Sequence, residues 1–267
     1  MDVIALSPLD LSIAAGLVVA AALVSIPMRL GLAGQMLVAA ARTGLQLTLI
    51  GFVLDALFEN VHPAWMALVA LIMLGVAAVE ISQRQKRGLR GGWGFGIAAF
   101  SMLVSSFAIT YLALDGIIGV SPWYEPRYAI PLLGMMLGNT MSGVALGLER
   151  LTESAWERRD AIEARLMLGH RWSRAVEDVR RNAARSGMIP IINTMSVVGI
   201  VKLPGMMTGQ ILSGTSPLEA VKYQILIMFL VAAGTAFGTI CAVWIGARRL
   251  FDERQRLRVD RLGGGSA

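Results

Sequence analysis

Seven stretches of the chain, roughly 9–28, 33–57, 64–81, 93–114, 128–148, 188–213 and 222–247, are apolar over close to the ~20 residues that a helix needs to cross bilayer hydrocarbon. In lipid every backbone N–H and C=O must find its partner inside the protein, and a helix does this within one segment. The pattern therefore predicts an all-α, polytopic membrane protein of about seven transmembrane helices, with 1–267 as a single transmembrane domain. A composition that is 55% hydrophobic agrees, because a soluble domain of 267 residues could not cover that much apolar side chain with polar surface.

The net charge of +6 would suit a nucleic-acid partner if the basic residues formed one polar domain, but they lie between the apolar runs. We read them as a topology signal and expect no nucleic acid. Arg29, the cluster Arg84, Lys86, Arg87 and Arg90, the arginines from Arg150 to Arg185 and those from Arg248 to Arg261 fall on one side, twenty of the 24 basic residues in all. Cytoplasmic flanks retain Lys and Arg, so the N-terminus is expected outside and the C-terminus inside. Arg127 and Lys222 lie on the opposite side, where Trp65, Tyr111, Trp123 and Tyr124 suit an interfacial belt. The opening MDVIALSPLD places an acid where a signal peptide carries basic residues, so the first run is expected to stay as an anchor. The single cysteine, Cys241, lies within an apolar run and builds neither a disulfide framework nor a cysteine metal site.

Residues 149–187 are too polar to span and too long for a turn, and form an expected cytoplasmic segment, with 248–267 as a cytoplasmic tail ending in a flexible GGGSA. Ser154 and Glu157 have the spacing of a capping box that would start a helix, on which Trp156, Ile162 and Leu166 recur. Gly169 can stop that helix and His170–Arg171 can turn into a second. Such a pair is either a docking knob or a solvated surface hairpin.

Within it, Glu163-Ala164-Arg165-Leu166-Met167-Leu168-Gly169 resembles the EAA-x-x-x-G loop by which ABC permeases engage their ATPase subunits, with Arg165 in place of the second Ala. Together with IPLLGMMLGNTMSGVALGLERL and MIPIINTMSVVGIVKLPGMMTGQILSG, it makes the chain similar to the FetB-like family of ABC permeases. That resemblance implies a permease subunit in a bacterial inner membrane, as a homodimer with a separately encoded ATPase. Glu163, Ala164 and Gly169 would be its coupling residues, export of a metal or metal-related solute its role, and ATP and Mg would sit on the partner with no cofactor in this chain.

Two segments share a pattern, 134–143 (GMMLGNTMSG) and 205–214 (GMMTGQILSG), identical at six of ten positions and pairing Asn139 with Gln210. Either they line a transport pathway as pseudo-symmetric copies, or Gly134 with Gly138 and Gly205 with Gly209 pack helices through small-xxx-small contacts. Met135, Met136, Met206 and Met207 could offer soft thioether ligands or simply fill space, so no metal ligand is assigned. Lys202, in VKLPG before the helix breaker Pro204, is either a gate or substrate contact or a snorkelling lysine. Arg42 and Gln46 share a face of the second span, and Glu80 lies beside the basic cluster at 84–90.

A phosphate-cradling G-x-x-x-x-G-K-[ST] loop is absent from the sequence, as is HExxH, and no paired acids run through the spans. An ATPase within the chain is thereby excluded, and a membrane-embedded enzyme is not expected, since His62 and His170 fall on opposite sides in this topology. A stand-alone secondary transporter or channel stays as the alternative to an ABC permease.

Overall fold

A computed structural model describes residues 7–28, 31–59 and 61–263. Arg29 and most of the terminal GGGSA lie outside the described residues. The chain divides into two compact units, one from the described residues of Met1–His62 with Leu212–Gly214, the other from those of Pro63–Ile211 with Thr215–Ala267.

The first unit is a helical hairpin of α1 (Pro8–Ser25) and α2 (Ala33–Glu59). Ser7 caps α1: its hydroxyl accepts from the Asp10 N–H at 3.3 Å while the Asp10 carboxylate accepts from the Ser7 N–H at 2.8 Å. Asp2, the acid at the start of the chain, lies outside the described residues. Leu57 is the one buried residue of α2, and Leu45, Leu47 and Phe52 are each more than 60% exposed, an all-round apolar surface made for lipid.

The second unit contains α3 (Pro63–Arg84), α4 (Trp93–Ile118), α5 (Pro126–Glu157), the short α6 (Arg159–Met167) and α7 (Trp172–Ala175), then α8 (Glu177–Val197), α9 (Gly205–Leu212) and α10 (Pro217–Arg249). Along α4 the chain widens into π-helical turns at Leu103–Phe107 and Leu112–Ile118. The core sits where α5 and α10 cross α3, α4 and α8, with Val144, Leu148, Leu151, Val243 and Ala247 almost fully buried.

Glycines permit these crossings. A Cβ added at Gly143 would lie 2.6 Å from Thr239 Oγ1 and 3.0 Å from Gly187 O, and one at Gly246 would lie 3.0 Å from Leu148 and Leu151. From Gly143 beside Thr235 to Leu151 beside Gly246, residue numbers on α5 and α10 rise together, so the two helices are parallel. Gly187 meets Gly143 while Ala183 meets Gly147, so α8 runs against both. Since α5 and α10 point the same way, the chain between them must return across the bundle.

That return is not the unbroken span expected over 188–213. Among the described residues six helices are long and apolar enough to cross a membrane, and this segment is not among them. α8 ends at Val197, whose carbonyl accepts from Val201 and Lys202, and Gly199, at φ +85°, donates to Lys202 O at 3.0 Å. Pro204 then disfavours helix at Leu203, and α9 starts immediately after it. The expected helix start at Ser154 is also absent. α5 runs on to Glu157 because Leu148, Leu151, Thr152 and Ala155 extend its buried stripe, and Ser154 is itself buried inside the helix.

Candidate docking face and membrane cavity

Gly169 and the turn at His170–Arg171 fall where the sequence puts them, but the first helix of the hairpin, α6, starts at Arg159 and leaves Trp156 in α5. Gly169, at φ +83°, ends α6 in a Schellman turn: Gly169 N–H donates to Leu166 O at 2.9 Å and His170 N–H to Arg165 O at 3.2 Å. Ile162 is buried and anchors the hairpin, with Leu166 and Trp156 packed beside it. Arg165, the departure from the EAA pattern, braces the hairpin by reaching Ala175 O at 3.2 Å and the Asp178 carboxylate at 2.8 Å. The same guanidinium holds the Asp178 carboxyl below its usual range. A carboxylate depressed in this way lends its support above its unfolded pKa of ~4 and loses it as pH falls through the folded value, so this brace is intact at neutral pH. Glu163 and Ala164 are exposed, and Met167 and Leu168 stand at the tip with 82% and 79% of their surface open.

The C-terminal segment, read from the sequence as a tail, folds back to hold this hairpin. Leu250, Phe251, Leu257 and Leu262 are buried. Gln255 Oε1 accepts from Trp172 N–H at 3.0 Å, Trp172 packs on Phe251, and Arg248 lies over the Trp172 ring. Leu262 bridges to Leu89 in the turn between α3 and α4, where Arg90 N–H donates to Arg261 O at 2.8 Å. Arg87 sits 4.3 Å above Trp156, and Arg249 4.2 Å above Trp93. The three described basic segments therefore form one face. Glu80 belongs to its edge, paired to Arg84 at 2.7 Å. Asp260, bonded to Arg258, has its carboxyl lowered to about 2.

A second feature lies at the helix break, a cavity of about 160 Å³ between α5, α8, α9 and α10. Met135, Asn139, Lys202 and Met206 line it, joined by Thr194 and Gln224. Four of the pathway residues expected from sequence thus come together. The two sequence copies correspond at their methionines: Met135 and Met206 face the cavity, whereas Met136 and Met207 are buried. Met136 packs against Gly234, which makes it a filler of the core. Gln210 is half-buried and is not among the lining residues.

The packing glycines are mostly others than those expected. A Cβ on Gly134 would touch Met73 at 3.4 Å, but Gly138, Gly205 and Gly209 have nothing within 4 Å. Within the helices, close approach falls to Gly143, Gly147, Gly187, Gly234, Gly238 and Gly246. Gly143-xxx-Gly147 and Gly234-xxx-Gly238 carry the same small-residue spacing and were the signal to follow. Gln224 was missed because nothing local distinguishes one glutamine near the start of an apolar run.

The profile of the uncharacterised protein family UPF0014 matches residues 8–251. The chain belongs to this family. Among UPF0014 relatives, the membrane protein slr1647 of Synechocystis is 41% identical over 86% of this chain and 88% of its own length. The probable iron export permease protein FetB of Escherichia coli is 30% identical over 95% of both. The Arabidopsis protein ALUMINUM SENSITIVE 3 is 31% identical over 92% of this chain and 88% of its own. No solved structure matches the chain. These UPF0014 relatives include membrane proteins and a probable iron export permease, and this chain is a polytopic membrane protein of the same family.

Proposed function

We propose that the chain is the membrane-spanning subunit of an ABC transporter, working as a homodimer with two ATPase subunits and exporting a metal or metal-related solute. The observation that carries this is the braced hairpin with Met167 and Leu168 bare at its tip, since exposed apolar side chains on a rigid polar mount suit a cleft in a partner. ATP and Mg act on the partner, whose closure pushes on Glu163 to Gly169 and reaches the bundle through the buried Ile162 and the folded-back C-terminal segment. The name of the Escherichia coli relative supplies the metal-export part of the reading. The absence of a paired acid network from the spans speaks against the stand-alone secondary transporter.

The test is affinity purification of the tagged chain from gently solubilised membranes. An ATP-binding-cassette ATPase is expected in stoichiometric amount, with MgATP hydrolysis in the recovered complex; a chain recovered alone that still transports would overturn the reading.

In this account the basic face is cytoplasmic in a bacterial inner membrane and the N-terminus lies outside. In intact cells, single cysteines at Glu59 and Gly119 are expected to react with an impermeant maleimide, and cysteines at Glu157 and Glu163 only after permeabilisation. The reverse pattern contradicts the orientation.

A further inference from the structure

The cavity at the helix break holds one formal charge, and it is positive. Lys202 lines it and no carboxylate does. The described residues also contain no group of three or more His, Cys, Asp or Glu placed to hold a metal ion. Lys202 stands exposed in the irregular stretch between α8 and α9, so its ammonium is open to a group of opposite charge.

The N-terminal end of α9 opens on the same space. Gly205 and Met206 line it, and the first bond of that helix runs from Thr208 N–H to Pro204 O at 3.0 Å. The N–H groups of Gly205, Met206 and Met207 therefore precede the helical ladder, at the end where aligned peptide dipoles place partial positive charge. A Cβ on Gly205 would meet nothing within 4 Å, so this stretch of backbone can be approached closely.

Two carboxamides complete the wall. Gln224 is 8% exposed, and its Oε1 has no hydrogen-bond partner, a state that buried polar groups avoid unless a ligand or water satisfies them. Asn139 donates from Nδ2 to Met135 O at 2.8 Å, which fixes the amide and leaves Oδ1 free to accept.

We propose that this cavity binds the carboxylate or phosphate group of a small solute that also carries a hydroxyl or amine donor. A metal enters it only within a complex that brings such an oxyanion, never as a bare cation. The inference rests on reading the chain as a transport subunit. An oxyanion accepts from the Lys202 ammonium and the N–H groups of α9, and the solute's own donors meet Asn139 Oδ1 and the Gln224 carboxamide. A bare divalent cation would face the positive end of a helix and an ammonium with only neutral oxygens and thioethers to offset them. The 160 Å³ cavity takes a phosphoryl group or one carboxylate arm of a larger anion, whose remainder can lie outside it because Asn139, Lys202 and Gly205 on its wall are exposed.

The test uses the purified chain, without any ATPase, in nanodiscs of zwitterionic lipid. Equilibrium binding is measured for radiolabelled phosphate, citrate and ferric citrate, and for ferrous chloride in buffer free of oxyanions. Binding of phosphate or citrate, or of ferric citrate alone, is expected, and ferrous chloride is expected not to bind. Free-anion binding makes the anion itself the ligand, and ferric citrate alone makes the complex the ligand. Lys202→Gln is expected to weaken the binding about tenfold or more and Lys202→Arg to retain most of it. Ferrous ion bound without an oxyanion, no binding of any oxyanion, or oxyanion binding unchanged in Lys202→Gln would overturn the proposal. Because no ATPase takes part, failure to recover one in the purification above bears on the docking hairpin and leaves this result standing.

Discussion

Gly187→Val is expected to prevent the second unit from assembling. α8 crosses α5 where Gly187 faces Gly143, and a Cβ at Gly187 would run into the Gly143 carbonyl and Thr239 Cγ2. The obstacle is backbone, which cannot rotate aside as a flexible side chain would. Overpacking a well-filled core costs about 1–3 kcal/mol, and more where backbones are driven apart. Against the ~5–15 kcal/mol that separates folded from unfolded states, that loss removes much of the margin. Size-exclusion profiles and thermal melts in detergent should show aggregated or early-melting protein for Gly187→Val, and a near-normal chain for Gly138→Val and Gly209→Val, whose Cβ positions are open. Equal damage from all three would mean that the GMMxG glycines pack helices after all.

The double variant Met167→Glu with Leu168→Glu is expected to abolish association with the ATPase while leaving the permease folded. Both side chains are about four-fifths exposed, so the chain itself loses little. In a docked complex each would bury apolar surface worth roughly 1.5–3 kcal/mol, together at least a hundredfold in affinity at 1.4 kcal/mol per tenfold. Glu163→Arg should weaken docking less, since a rim charge contributes mainly to encounter. Gly169→Trp places a bulky side chain at φ +83° and should distort the turn that presents the tip. Copurification and the rate of MgATP hydrolysis read out all three variants. Unchanged association in the double variant would remove the tip from the interface.

These expectations show which parts of the fold the sequence made legible. The spans were readable because lipid selects composition, and composition survives without any knowledge of packing. The Gly169 turn was readable because its geometry is local. The break after Val197 was hidden inside hydropathy: Val198, Ile200, Val201 and Leu203 keep the segment apolar while Gly199 and Pro204 dismantle the helix. The start expected at Ser154 failed for the opposite reason, a local capping signal overridden by long-range packing of Leu151 and Ala155. The fold-back of the C-terminal segment escaped because its anchors, Phe251, Leu257 and Leu262, are spaced among arginines with neither a helical nor a strand period. At the cavity, Met135, Asn139, Lys202 and Met206 could be picked out from the repeat and the proline, but Gln224 could not, since its position across from them exists only after α5 and α10 have packed.

The central claim, that the α6–α7 hairpin is where the chain meets its motor, is tested most directly by cross-linking. The only native cysteine, Cys241, is half-buried in α10, so single introduced cysteines can be read against a low background. With a short bifunctional thiol reagent, Met167→Cys in the assembled complex is expected to cross-link to a cysteine placed in the ATPase cleft, with a yield that changes when MgATP is added, and Gly119→Cys to give no product. An assembled, active complex in which Met167→Cys never cross-links to the ATPase, or in which Gly119→Cys does, would contradict the account.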